Sequence, residues 1–242
     1  MSSWLIAILI ILSLDPQIMR RAGRVVSGPP DPSIAKIGVG TVGNADGADI
    51  TPTIPAAATT GDLMMVLVHQ RDRVASSVTG WTLLDTEATS ATNKLGIWYK
   101  FHDGTEANPT VTHGAGSSIC GYVAVFRNVE ADDPIDTLGP YVDQSTDPGP
   151  NTFVQTQTTT QTDSTMVIHL GGAEDNNAWE SQTGKCDSLL ATYSNGSGTD
   201  NSIYICWGRQ AAAGATGTSS ITQGSLGWDN GISVHFALKM NR

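Results

Sequence analysis

The sequence predicts an all-β fold: a two-sheet antiparallel β-sandwich, jelly-roll-like, with about ten strands over residues 34–242, preceded by a hydrophobic amino-terminal anchor segment. Three observations predict it. Only 15% of the 242 residues are charged, against 26 glycines and 11 prolines, so Thr, Ser, Asn, Gln and Gly must form much of the surface, which suits short strands and turns. Apolar runs bounded by Gly, Pro, Asn or Asp recur along the chain, as strands punctuated by turns do. No amphipathic helical stretch of a dozen residues separates them, which disfavours a parallel α/β sheet.

The anchor is assigned to residues 1–24. Trp4 to Leu14 is a run of eleven residues without a charge; as a helix it would be only about 16 Å long at ~1.5 Å per residue. A bilayer core needs about 20 apolar residues, so membrane contact is disfavoured. An export signal fits poorly as well, because the basic cluster Arg20, Arg21 and Arg24 follows the apolar run instead of preceding it. A segment apolar on every side has to be buried all round, and burying its Leu and Ile residues is worth on the order of 10 kcal/mol at most. The stiff Ser27-Gly28-Pro29-Pro30-Asp31-Pro32 follows, so residues 25–33 read as a linker that keeps the peptide from folding back on its own domain. Trp4, Leu5, Ile6, Ile8, Leu9, Ile10, Ile11 and Leu12 are therefore expected to seat in a partner subunit, as helix or as strand.

The remaining chain carries one pattern twice, over residues 61–127 and 163–239. Gly61-Asp62 precedes the run Leu63–His69, and Asp163-Ser164 precedes Thr165–Leu170. Leu83 to Ile97 spans 14 residues, as does Leu189 to Ile203. Val111 to Val123 is 12 residues and Ile221 to Val234 is 13, the difference falling in polar loops where insertions are tolerated. In the last run Ile232, Val234, Phe236 and Leu238 alternate with Ser233, His235 and Ala237, which predicts one face on the core and the other in water. Five strands alone make a thin core, so the two copies are expected to interleave into one sandwich, with residues 128–162 as an acidic crossover between them.

Charge supports the crossover. The net charge is −10, and between Asn128 and Gly184 there are ten acidic residues and no Lys or Arg; the rest of the chain is neutral. A solvated acidic linker is the ordinary reading of such a run. Excess negative charge also excludes nucleic acid and anionic membrane as partners of the main body, since both are bound through Lys and Arg.

Little in the sequence carries chemistry. There is no GxSxG, HExxH or GxxxxGK[ST] motif, no catalytic residue is assigned, and Ser197 in Asn195-Gly196-Ser197-Gly198 reads as a turn. Three cysteines cannot all pair; Cys120 and Cys206 read as small buried residues inside strands, and no structural bridge or Cys/His metal set is expected. His69 and His169 end equivalent apolar runs and would form a metal site only if brought together. Glu174 and Asp175 offer hard oxygen ligands of the kind calcium prefers, without calcium-loop spacing; no other cofactor is implied. Trp81, Trp179 and Trp228 lie beside loops and would stack sugars if their rings were exposed.

Gly61-Asp62-Leu63, Gly80-Trp81-Thr82-Leu83-Leu84, Ile97-Trp98-Tyr99-Lys100, Thr110-Val111-Thr112 and Val123-Ala124-Val125-Phe126-Arg127, with Ala211–Gly217 and Phe236-Ala237-Leu238-Lys239, resemble β-sandwich structural proteins of tailed bacteriophages and prophages. The resemblance covers about residues 61–239, through loose turn-and-strand signatures, and leaves out the anchor. It implies a non-enzymatic virion component (head decoration, fibre or tail piece) assembled in the host cytoplasm. Its expected partners are other virion proteins and itself, as a homo-oligomer with a trimer favoured. The alternative implied is a carbohydrate-binding module that recognises host surface glycans.

Overall fold

The computed structural model describes residues 33–72, 74–89, 92–114, 116–144, 152–195, 200–224 and 230–242. The anchor side chains Trp4–Leu12, Ser197 and Trp228 lie outside the described residues.

Strands and turns make up the described chain, and every strand pairing is antiparallel. The first half contains β1 (Ala35–Val39), β2 (Gly43–Asp46), β3 (Leu63–Gln70), β4 (Ser77–Val78), β5 (Thr82–Thr89), β6 (Asn93–Phe101), β7 (Val111–Thr112) and β8 (Ser118–Arg127). The second half begins with β9 (Ile135–Leu138), β10 (Val142–Asp143), β11 (Thr152–Gln155), β12 (Thr159–Thr160) and β13 (Thr165–Ala173). It continues with β14 (Trp179–Thr183), β15 (Ser188–Ser194), β16 (Ser202–Gln210), β17 (Gly214–Ala215), β18 (Ser219–Gln223) and β19 (Gly231–Leu238).

The two halves repeat one strand order. The first large sheet runs β1-β8-β3-β6-β5, with β2 also on β8; the second runs β10-β19-β13-β16-β15, with β9 also on β19. Each half therefore closes its own large sheet, and the expected interleaving does not occur. The stretch expected as a crossover, residues 128–162, instead supplies β9 to β12. Acidic residues are compatible with this because β9 and β10 hold the outer edge of their sheet, where half-exposed carboxylates keep contact with water.

Apolar packing lies in three layers, of which the middle one joins the halves. Leu63, Met65 and Leu67 of β3 and Phe126 of β8 meet Met166, Ile168 and Leu170 of β13 and Phe236 of β19 in one cluster between the large sheets. On the far face of the first sheet, Met64, Val66 and Val68 pack under Ile50, Val78 and Val111. On the far face of the second, Tyr204 and Cys206 pack under Phe153, Trp179 and Ile221 of a three-stranded sheet ordered β11-β18-β14. The large sheets are thus covered on both faces, whereas the sequence reading exposed one. The inward set Ile232, Val234, Phe236 and Leu238 is correct; Ser233, His235 and Ala237 are fully buried as well. The uninterrupted run of β3, Leu-Met-Met-Val-Leu-Val-His-Gln, buried at every position, is the signature of a strand covered on two sides.

Two glycines permit the closest approaches. A Cβ on Gly171 would fall 2.4 Å from the Tyr204 hydroxyl, and one on Gly172 would fall 2.2 Å from the His69 ring. The large side chain of one strand thus fills the space that glycine leaves on its neighbour, within one sheet in the first case and between the two sheets in the second.

Candidate functional site

Strand direction gives the sandwich two unlike poles. At one pole, here the base, lie the first described residue Ser33, the start of β3 and the ends of β8 and β16. A cavity of about 160 Å³ opens there among Ser33, Ile34, Thr165, Met166, Arg209 and Ala211. Nearby, Arg127 donates through Nε to Asp62 Oδ1 at 2.7 Å and through Nη2 to Asp62 Oδ2 at 2.8 Å. Burial works to raise the pKa of Asp62, but hydrogen bonds from Arg127 and Thr59 outweigh it and the carboxyl ends below its usual range.

The opposite pole, the crown, carries the loops after β3, β5, β7, β13, β15 and β18, and it joins the halves through buried polar groups. Asn93 donates through Nδ2 to Glu174 Oε1 at 2.8 Å, leaving its Oδ1 to accept from His69 Nε2 at 2.9 Å. Asn201 places its Oδ1 2.5 Å from His69 Nδ1, while its Nδ2 donates to the His69 backbone carbonyl at 3.5 Å. Burial keeps the imidazole neutral, against the opposing pull of Asn201, Asn93 and the Glu174 and Asp175 charges. Arg71 lies 3.6 Å from Glu174 and donates to the Asp200 carbonyl at 3.2 Å.

The calcium candidates are engaged in this network. Asp175 accepts from Gln223 Nε2 at 2.6 Å, Asn177 Nδ2 at 2.7 Å, Ser202 Oγ at 3.1 Å and the Asn177 backbone N–H at 3.3 Å. Three of these donors converge on Oδ1 and one on Oδ2, so the carboxylate is engaged by protein groups. Nor are His69 and His169 brought together. His69 points between the sheets, above Gly172, whereas His169 lies on the outer face with Tyr204. The two positions differ by one residue in strand parity, which reverses the face.

Of the aromatic candidates, Trp179 is buried, its ring centroid 4.9 Å from that of Phe153 and 4.5 Å from that of Tyr204. Its ring therefore offers no sugar platform. Trp81 is half-buried against the outer cluster of the first sheet.

The structure also pairs Cys186 with Cys206, with Cα atoms 5.0 Å apart, correcting the expectation of no bridge. Cys120 is the free thiol, fully buried, and burial alone pushes its pKa far above the ordinary range. Cys206 stands opposite His169, which stands opposite His235, in one row across β16, β13 and β19. Cys186 lies in the turn before β15 and carries no strand pattern of its own. The available signal was the β15–β16 hairpin: with Ser188 opposite Trp207, the residues just before the hairpin come back beside Cys206. The bridge closes a loop 20 residues long in sequence separation, and constraining the unfolded chain in this way is worth about 3 kcal/mol. The double variant Cys186→Ala/Cys206→Ala should lose that amount in urea titrations against the oxidised protein. An unchanged midpoint would show that the bridge adds nothing to stability.

Compared with family models, with curated proteins and with solved structures, the chain finds no match.

Proposed function

We propose that this protein is a non-enzymatic structural component of a tailed-bacteriophage virion, built as two jelly-roll halves back to back. In this reading its amino-terminal peptide docks into partner subunits and its loops face outward. One observation carries the reading: the chain enters the sandwich at the base, and the loop-bearing crown lies at the other end of the strands. The body closes its own core from Ile34 to Met240, so an oily peptide joined through a Pro-rich linker is not needed to complete it. The strand order within each half supports the jelly-roll assignment. In the second half β10-β19-β13-β16-β15 faces β11-β18-β14, and apart from the β15–β16 hairpin the chain crosses repeatedly between the two sheets, as in a Greek-key wrap.

Deleting Met1–Leu14 tests the role. The truncated protein is expected to fold, since the described core contains none of these residues, and to be lost from purified particles while the full chain is retained. Mass spectrometry of particles assembled with each form reads the outcome. Equal incorporation of the two forms would rule out the anchor, and absence of the full chain from particles would rule out the virion assignment itself.

A further inference from the structure

On the outer face of the second large sheet, the buried Nδ1 of His169 has no hydrogen-bond partner, and the neighbouring buried His235 ring is served by the Thr156 backbone alone. Buried polar atoms are nearly always satisfied, and an orphan calls for a reason such as an ion or a redox role. Beside them lie two sulfurs. A His169 ring nitrogen and the Sγ atoms of Cys186 and Cys206 all fall within 4.8 Å of one another, and all three residues are buried. The Tyr204 hydroxyl lies 2.6 Å from His169 Nε2, which leaves Nδ1 as the ring nitrogen without a partner.

We propose that, with the bridge reduced, Cys186, Cys206 and His169 bind one zinc ion, His235 completing the shell, and that the disulfide is the oxidised, metal-free form of the same internal staple. The dimensions agree. Zinc bonds of about 2.3 Å to sulfur and about 2.0 Å to nitrogen place tetrahedral ligand atoms roughly 3.3–3.8 Å apart, inside the observed spread. Two imidazoles on one such ion stand about 5 Å apart, centroid to centroid; His169 and His235 stand 4.8 Å apart. Opening the sulfurs needs movement of Cys186 alone, because it lies in the turn before β15 while Cys206 is fixed in β16. Tyr204 supplies the outer contact that metal-bound histidines commonly have: with Nδ1 on the ion, Nε2–H donates to the tyrosine oxygen and fixes the ring. Thiolate and imidazole donors select zinc over calcium or magnesium.

The exchange balances. Zinc binding to the dithiol forms two Zn–S bonds and releases two thiol protons. A disulfide oxidant such as oxidised glutathione then takes two electrons from the bound thiolates, the Cys186–Cys206 bond forms, two glutathione thiolates leave and take up protons, and Zn2+ departs. The inference does not depend on the virion reading, since it concerns this chain in either redox state.

The test uses the full chain in two states, one purified and kept under a dithiol reductant and one oxidised. Metal content by mass spectrometry is expected at one zinc per reduced chain and none per oxidised chain. Cobalt(II) added to the reduced, metal-free protein is expected to give the visible d–d bands of a tetrahedral site and a thiolate charge-transfer band, both abolished by oxidised glutathione. His235→Gln should bind cobalt at least tenfold more weakly with the charge-transfer band retained; unchanged binding would remove His235 from the shell. If the reduced chain loses its near-UV circular dichroism, zinc should restore it, and failure to do so would overturn the proposal. So would a folded, reduced protein that takes up neither metal, or equal metal content in the two redox states.

Discussion

Replacing His69 with alanine is expected to cost about 3–5 kcal/mol of unfolding free energy at pH 7. Two losses combine. The ring is fully buried and fills the space above Gly172, so its removal leaves a cavity between the large sheets, of the kind that costs about 2–5 kcal/mol. It also leaves the buried Oδ1 atoms of Asn93 and Asn201 without their ring partner, at about 1–3 kcal/mol per unsatisfied group, although Asn93 Nδ2 keeps its bond to Glu174; the two sums overlap because the pocket relaxes. Urea titration by tryptophan fluorescence measures the loss. His69→Phe keeps much of the volume and removes only the hydrogen bonds, so it should fall between alanine and wild type. Because the ring couples β3 to the second half through Asn201, the alanine variant should also exchange amide hydrogens faster in both large sheets. A loss under 1 kcal/mol would show that the polar contacts at the crown do not join the halves.

The second large effect is acid lability, expected of the oxidised, metal-free protein. Burial lowers the pKa of His235 to about 4, while the Thr156 backbone opposes the shift. Burial, reinforced by the nearby His235, lowers His169, and burial also lowers His69. For a histidine with a depressed folded-state pKa, the unfolded chain takes up protons that the folded chain refuses. Stability is therefore full above the unfolded pKa near 6.5 and falls as pH drops toward the folded value. For His235 that window covers about pH 6.5 to 4, and at about 1.4 kcal/mol per unit it removes roughly 3 kcal/mol. His69 and His169 act in the same direction. Asp62, whose folded pKa is lowered, contributes stability above its unfolded pKa that disappears only at lower pH, so it deepens the loss without starting it. Urea midpoints at pH 7, 6 and 5 should decline, and His235→Leu should flatten the slope. Midpoints that stay constant from pH 7 to 5 would mean that the rings already find protons in the folded state.

Much of the fold is legible in local pattern. The runs Leu63–His69, Ile97–Phe101 and Ile203–Trp207 are strands, and Leu83/Ile97 and Leu189/Ile203 mark the same hairpin in each half. What local pattern does not carry is the pairing of distant segments. The first and last strands of each half lie about a hundred residues apart in sequence and pair directly, as Ala35 does with Arg127. Short edge strands such as Val142–Asp143 have too few residues to show a period, so the acidic stretch reads as a linker. The cover on the outer faces is equally non-local. Phe153, Trp179 and Ile221 come from three separate segments, and nothing in Ser233 or His235 announces that they lie over it. The Cys186–Cys206–His169 cluster fails for the same reason: a cross-strand row is visible only once register is known.

The separation between base and crown has a mechanical consequence. β13 is nine residues long, and at about 3.3 Å per residue it spans roughly 30 Å. The crown loops and the base, where the described chain starts at Ser33, therefore stand about that far apart, linked by strands that are hydrogen-bonded along their length. Tension applied between the two ends would load many backbone hydrogen bonds in shear rather than peel them one by one.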